Sequence, residues 1–164
     1  MKSDCVNAYF FGSMGSGRVS SVFGVMFFGW ESSMKKLKVL IADDDRPAHE
    51  LYNHCLLGEL YEKHMVDNGE EAVKAYETWQ PDVIILDIMM PVMSGYQALK
   101  EIRRTEKENA KPPTPILMVT ALGSKSDIVD CMKQGIQGYI VKPFRPDDLC
   151  EKVELGYKKL NPSG

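Results

Sequence analysis

An α/β fold with one doubly wound parallel sheet is the architecture this chain predicts, on three observations. Short apolar runs recur along it: Val39-Leu40-Ile41-Ala42, Val83-Ile84-Ile85-Leu86, Ile116-Leu117-Met118-Val119 and Gly138-Tyr139-Ile140-Val141. Unbroken apolar runs of this length belong to strands buried on both faces, as in a parallel sheet. Segments of helical periodicity lie between them, and strict alternation of strand and helix gives parallel strands with right-handed crossovers. Strand after strand also ends in a polar residue, at the edge where open α/β sheets carry their chemistry.

Length and composition set the frame. The 164 residues suffice for one domain with a real core. A hydrophobic content of 44% and a charged content of 26% are ordinary for a soluble protein. A net charge of -3 gives no reason to expect direct nucleic-acid binding. Cys5, Cys55, Cys131 and Cys150 are widely spaced and form no C-x-x-C, which predicts reduced thiols in a cytoplasmic protein. His49, His54 and His64 lack metal-ligand spacing and are expected at the surface or partly buried.

The elements follow in order. Residues 1–33 stand apart, with Lys2, Asp4, Arg18 and Glu31 as their only charges and five of the six Phe. The apolar run from Val22 to Trp30 is shorter than the roughly 20 residues that span a bilayer, and only Lys2 fits a signal peptide. This stretch is expected to be an appendage: a vector-derived leader, an extension from an upstream start, or a small docking segment. Met34 looks like a second, natural start directly before a strand, so the domain is expected over 34–160, with 161–164 as a tail. The first strand runs into Asp43-Asp44-Asp45. Pro47 opens a helix in which Ala48, Leu51, Tyr52, Cys55 and Leu56 recur at inward spacing, and Gly58 ends it. Tyr61 to Val66 is the second strand, Asn68-Gly69 a turn, and Glu70 to Trp79 an amphipathic helix stopped by Pro81. The central strand, Val83 to Asp87, is followed by a loop with Ser94 as helix N-cap and a helix from Tyr96 to Glu106. Ile116 to Thr120 is the fourth strand, Lys125 to Gln134 a helix closed by Gly135, and Gly138 to Val141 the fifth strand. Pro146 opens the last helix, acidic in its first turn as the helix dipole prefers. Five strand–helix pairs make the flavodoxin-like strand order 2-1-3-4-5 the natural choice.

The strand ends then define a site. The first strand brings Asp43 and Asp44, the third Asp87, the fourth Thr120 and the fifth Lys142. Carboxylates gathered at one edge repel, and each would rather be neutral. A hard divalent cation relieves this, and Mg²⁺ takes one or two carboxylates with waters and phosphate oxygens. Carboxylate, metal, ammonium and hydroxyl together suit phosphoryl transfer, with Asp87 as nucleophile.

Four motifs carry a resemblance: Val-Leu-Ile-Ala-Asp-Asp-Asp, Ile-Ile-Leu-Asp-Ile-Met-Met-Pro-Val-Met-Ser-Gly, Val-Thr-Ala and Gly-Tyr-Ile-Val-Lys-Pro-Phe. In this order and at strand ends, they make the chain from about Lys35 to Leu160 resemble the receiver domain of two-component response regulators. The resemblance implies Asp87 as phospho-acceptor, and Asp43, Asp44, Asp87 and the backbone carbonyl of Met89 as Mg²⁺ ligands. It implies Thr120 as switch hydroxyl, Tyr139 as switch aromatic, Lys142 as the phosphate-neutralising lysine and a cis Lys142–Pro143 bond. The expected function is a phosphorylation-dependent signalling switch that catalyses only its own phosphorylation and dephosphorylation. The expected donor is a histidine kinase or phosphotransfer protein. With no recognisable output domain after Leu160, the expected output is contact with a downstream protein through the helix 4/strand 5/helix 5 face. A phosphorylation-dependent homodimer stays open, as does a fragment of a larger regulator. A haloacid dehalogenase-type phosphohydrolase is the other class weighed, on Asp43-x-Asp45. It fits poorly, because Pro47 stands where that family wants Thr or Val and no cap domain is present. Judged by the resemblance, Met89 and Leu122 flank the line of water attack on the phosphorylated Asp87. Neither can orient a water, so slow loss of the phosphoryl group is expected.

Overall fold

The computed structural model of the protein describes residues 35–121 and 125–161, without the side chains of 125–127. The expected appendage over 1–33, the tail beyond residue 161 and Leu122 lie outside the described residues. The elements are β1 (Leu37–Ala42), α1 (Arg46–Cys55), β2 (Tyr61–Val66), α2 (Gly69–Trp79), β3 (Val83–Asp87), α3 (Gly95–Glu108), β4 (Ile116–Thr120), α4 (Lys125–Lys133), β5 (Gly138–Val141) and α5 (Pro146–Leu160). All strand pairs are parallel, and the sheet order is β2-β1-β3-β4-β5. That is the five-stranded, flavodoxin-like order the sequence predicts.

Local chemistry sets the element ends. Pro47 occupies the first turn of α1, where its missing N–H has no helical partner to lose. Asn68 caps α2 by accepting from the Glu71 amide at 2.9 Å. Ser94 and Gln97 form a reciprocal capping box at the start of α3, an arrangement worth about 1 kcal/mol. Gly135 closes α4 with φ 74°, a conformation that suits a residue without Cβ. Among the described residues no helix is long and apolar enough to cross a membrane. Cys55, Cys131 and Cys150 are in the reduced thiol form.

Alternation along the strands sorts the core into two layers. Val39, Ile41, Val83, Ile85, Leu117, Val119 and Ile140 pack with Tyr52 of α1, with Leu56 just after it, and with Leu149 and Val153 of α5. Leu40, Ala42, Ile84, Leu86, Ile116 and Met118 pack with Tyr76 of α2, Leu99 and Ile102 of α3 and Cys131 of α4. β3 is buried along its whole length, as its unbroken apolar run requires. The same alternation carries beyond the strands. Ile41 lies opposite Ile85, so two residues further on Asp43 and Asp87 come side by side on the α1/α5 layer.

Candidate functional site

The strand-end edge between β1, β3 and β5 holds a buried ionic cluster. Asp43 follows β1 directly and is 0% exposed, and Asp87, the last residue of β3, is 5% exposed. Asp44, one residue along, is exposed. Lys142 follows β5, and its ammonium lies 2.6 Å from Oδ2 of Asp43 and 2.6 Å from Oδ2 of Asp87. One cation is therefore divided between two carboxylates.

The other carboxylate oxygens are held by backbone. Asp43 Oδ1 accepts from the Asp45 amide at 3.1 Å, and Asp87 Oδ1 accepts from the Met89 amide at 3.1 Å. Asp45 stands at the N-cap of α1, but its side chain makes no capping bond; its amide bond to Asp43 shapes the turn instead. Tightness behind Asp87 comes from Gly95. A Cβ on that residue would lie 2.0 Å from the Asp87 carbonyl oxygen, so the start of α3 can rest on the end of β3 only because residue 95 is glycine. The Lys142–Pro143 bond is cis, as the resemblance implies.

Electrostatics follow from this sharing. Burial raises the Asp87 pKa, Asp43 adds to the rise, and the hydrogen bonds and charge of Lys142 and Met89 offset it in part. Burial opposes the Lys142 charge, but two carboxylates outweigh it and its pKa is raised. The two shifts differ in origin: the ammonium is held by two carboxylates, whereas burial dominates at Asp87 and a shared ammonium offsets it only in part. With Asp44 included, the cluster carries two negative charges in excess. One oxygen from each of Asp43, Asp44 and Asp87 lies within 4.8 Å of the others. Oxygen ligands at about 2.1 Å from Mg²⁺ stand at most about 4.2 Å apart, so small side-chain turns bring this all-oxygen set to fit.

Thr120 and Tyr139, the pair expected to act as the switch, sit on the other layer. Thr120 ends β4, is fully buried and follows Val119, the partner of Asp87 across the ladder. Its carbonyl accepts from the Lys142 amide at 2.7 Å, tying the two strand ends. Tyr139 packs beside the core layer of α2, α3 and α4. By strand alternation Thr120 lies on the same layer as Tyr139, the one packed by α2, α3 and α4, whereas Asp43 and Asp87 lie on the α1/α5 layer. Met89 is 71% exposed beside the cluster.

Sequence reasoning missed two contributors. Tyr52, read there as core, donates its hydroxyl to Asp43 Oδ2 at 2.9 Å. Burial and the Asp43 charge push its phenol pKa far up, so it stays a donor. His49, expected at the surface or partly buried, is only 8% exposed, and its Nε2 lies 2.5 Å from the Asp43 carbonyl. The available signal was a polar-tipped aromatic at an inward helix position, since a buried Tyr hydroxyl needs a partner.

A family model described as response regulator receiver domain matches residues 39–154. The chemotaxis protein CheY of Listeria monocytogenes serovar 1/2a is 35% identical over 123 residues, covering 74% of this chain and 99% of that protein. A relative described as "Probable transcriptional regulator ycf27", from Guillardia theta, is 36% identical over 126 residues, covering 77% of this chain and 47% of that protein. The chain thus spans about half the length of that regulator and nearly all of the chemotaxis protein. Among solved structures, a CheY-like receiver domain protein from Methanospirillum hungatei JF-1 superposes with TM-score 0.69 at 27% identity, covering 79% of this chain and 99% of that one. The CheX-CheY-BeF3-Mg²⁺ complex from Borrelia burgdorferi gives 0.65 at 29% identity, covering 71% of this chain and 86% of that one.

Proposed function

The chain belongs to the response regulator receiver domain family, and on that premise we propose that it is a phosphorylation-dependent switch whose Asp87 takes a phosphoryl group from a histidine kinase or phosphotransfer protein. The observation that carries this reading is Asp87 at the end of the central strand, sharing Lys142 with Asp43 at 2.6 Å each. A carboxylate oxygen of Asp87 attacks phosphorus as the bond to the donor's nitrogen breaks, giving an acyl phosphate and a free imidazole. Asp43, Asp44, Asp87 and the backbone carbonyl of Met89 would hold Mg²⁺, which neutralises the equatorial phosphoryl oxygens. Its presence in the Borrelia neighbour supports that assignment.

Lys142 is the cation the site already has. As the phosphoryl group arrives, its ammonium turns from the carboxylates to the new oxygens, with no second lysine needed. The Thr120 hydroxyl takes another of those oxygens, and Tyr139 follows it inward on the α4 layer. The added charge of about -1.5 to -2 thereby reshapes the α4/β5/α5 surface. Val129, Met132, Val141 and Leu155 are exposed there, which suits contact with a downstream protein or a second copy. The chain catalyses its own modification only.

The test is incubation with a small acyl phosphate and Mg²⁺, read by intact mass. One phosphoryl group should be gained. Asp87→Ala should gain none, and uptake by that variant with Asp43 and Asp44 intact would overturn the assignment.

A further inference from the structure

We propose that Tyr52 is a positioning residue of the cation site, orienting Asp43 through its hydroxyl and the Lys142 turn through its ring. The inference rests on the function proposed above and concerns how this chain tunes it. Two independent contacts carry it. The hydroxyl donates to Asp43 Oδ2 at 2.9 Å. The ring stacks on Phe144, two residues after Lys142, with centroids 5.8 Å apart and planes at 28°.

Oδ2 of Asp43 is also the oxygen that Lys142 holds at 2.6 Å. A residue that merely filled core would need its hydroxyl satisfied by any partner. This one reaches the oxygen that Lys142 already holds, on a carboxylate of the acidic cluster, and braces the turn that presents the lysine. With Tyr52 in place, Asp43 keeps a neutral donor when Lys142 turns away, so the carboxylate stays oriented for metal. Without the hydroxyl, Oδ2 depends on Lys142 alone. The ammonium then stays longer on Asp43 and competes harder with a divalent cation. Groups that hydrogen-bond ligating side chains are typically worth about 10- to 100-fold in metal affinity. Tyr52 is expected at the low end, because the Asp45 amide still holds the other oxygen.

Titration of Mg²⁺ alone into the wild type and Tyr52→Phe decides this. The reporters are the amide chemical shifts of Asp45 and Met89, which donate to Asp43 and Asp87. The midpoint should rise about tenfold in the variant. The rate of phosphorylation by a small acyl phosphate should fall at limiting Mg²⁺ and return to the wild-type value at saturation. A filler role would lower thermal stability and leave the midpoint unmoved, and that result overturns the proposal. So does a lowered midpoint. Phe144→Leu keeps the hydroxyl and removes the stacking; it should raise the midpoint by less, and it carries the test if Tyr52→Phe does not fold. A wild type whose Asp45 and Met89 amides ignore Mg²⁺ would instead sink the metal site itself, and with it this inference.

Discussion

Two buried ionic clusters lie at opposite edges of the sheet. At the strand-start edge, Arg103 of α3 bonds Glu106 at 2.7 Å, the Thr114 carbonyl at 3.0 Å, and the Gln134 and Gly135 carbonyls at 3.1 and 3.0 Å. The second oxygen of Glu106 accepts from the Thr114 amide at 2.7 Å. Charge cancels there, and both carboxylate oxygens and four Arg103 bonds are accounted for. At the strand-finish edge, one ammonium serves two carboxylates and a third stands exposed beside them. Burial of charge is common to both, so burial alone does not mark function. The completed cluster ties the end of α4 to α3 and β4. The other leaves its carboxylates short of positive charge, which is what the proposed switch requires.

The largest effect that would test this contrast is on stability. Arg103→Met leaves Glu106 buried without its counter-charge, and breaking such a pair costs about 3–5 kcal/mol. Chemical denaturation should show that loss, while phosphoryl uptake by the protein that remains folded is unchanged. A variant of full stability, or one folded but unable to take phosphoryl, would erase the distinction between the clusters.

Lifetime is the next effect in size. The open cluster faces Met89, which is 71% exposed, and an apolar side chain there cannot orient an attacking water. The double variant Met89→Asn, Leu122→Glu is expected to lose its phosphoryl group faster by about one to two powers of ten, a factor of ten being ~1.4 kcal/mol. Equal decay in a folded, Mg²⁺-competent double variant would assign lifetime to solvent access and loop motion instead.

The smallest effect is on the pH dependence of stability without metal. Burial first, then Asp43, raises the Asp87 pKa in the folded state. The folded protein therefore holds this proton more tightly than the unfolded chain does. The stabilisation is full below the unfolded carboxylate pKa of about 3.9 and is lost as pH rises through the folded value. Asp87→Asn should remove that slope and be the more stable form at neutral pH in chelator, with the gap closing towards acid. The Lys142 contribution runs in another window, since its pKa is raised by two carboxylates. It persists below the unfolded lysine pKa of about 10.4 and goes only in alkali. A variant less stable than wild type at neutral pH would mean that Lys142 compensates Asp87 fully, and the contrast with Arg103 would fall.

The strands and the polar residues at four of the five strand ends were legible in the chain alone. A parallel strand buried on both faces must be apolar throughout, so each such strand in this sheet leaves an unbroken run, and the break from Leu86 to Asp87 is visible without coordinates. Helix ends were legible where a local rule writes them, as at Pro47, Ser94 and Gly135. What stayed hidden is which atom at the tip of an inward side chain meets which partner. Helical spacing put Tyr52 on the inner face of α1, but only the seating of α1 against β1 aimed its hydroxyl at Asp43. Likewise Arg103 and Glu106 look like an exposed helical pair until the α3–β4 loop and the end of α4 close over them. Ladder register, set by tertiary pairing, brought Asp43 beside Asp87 and put Thr120 and Tyr139 on the opposite layer. Period and composition are local properties that a sequence writes directly; the sharing of one ammonium between two carboxylates depends on three strand ends meeting, and only the packed sheet decides it.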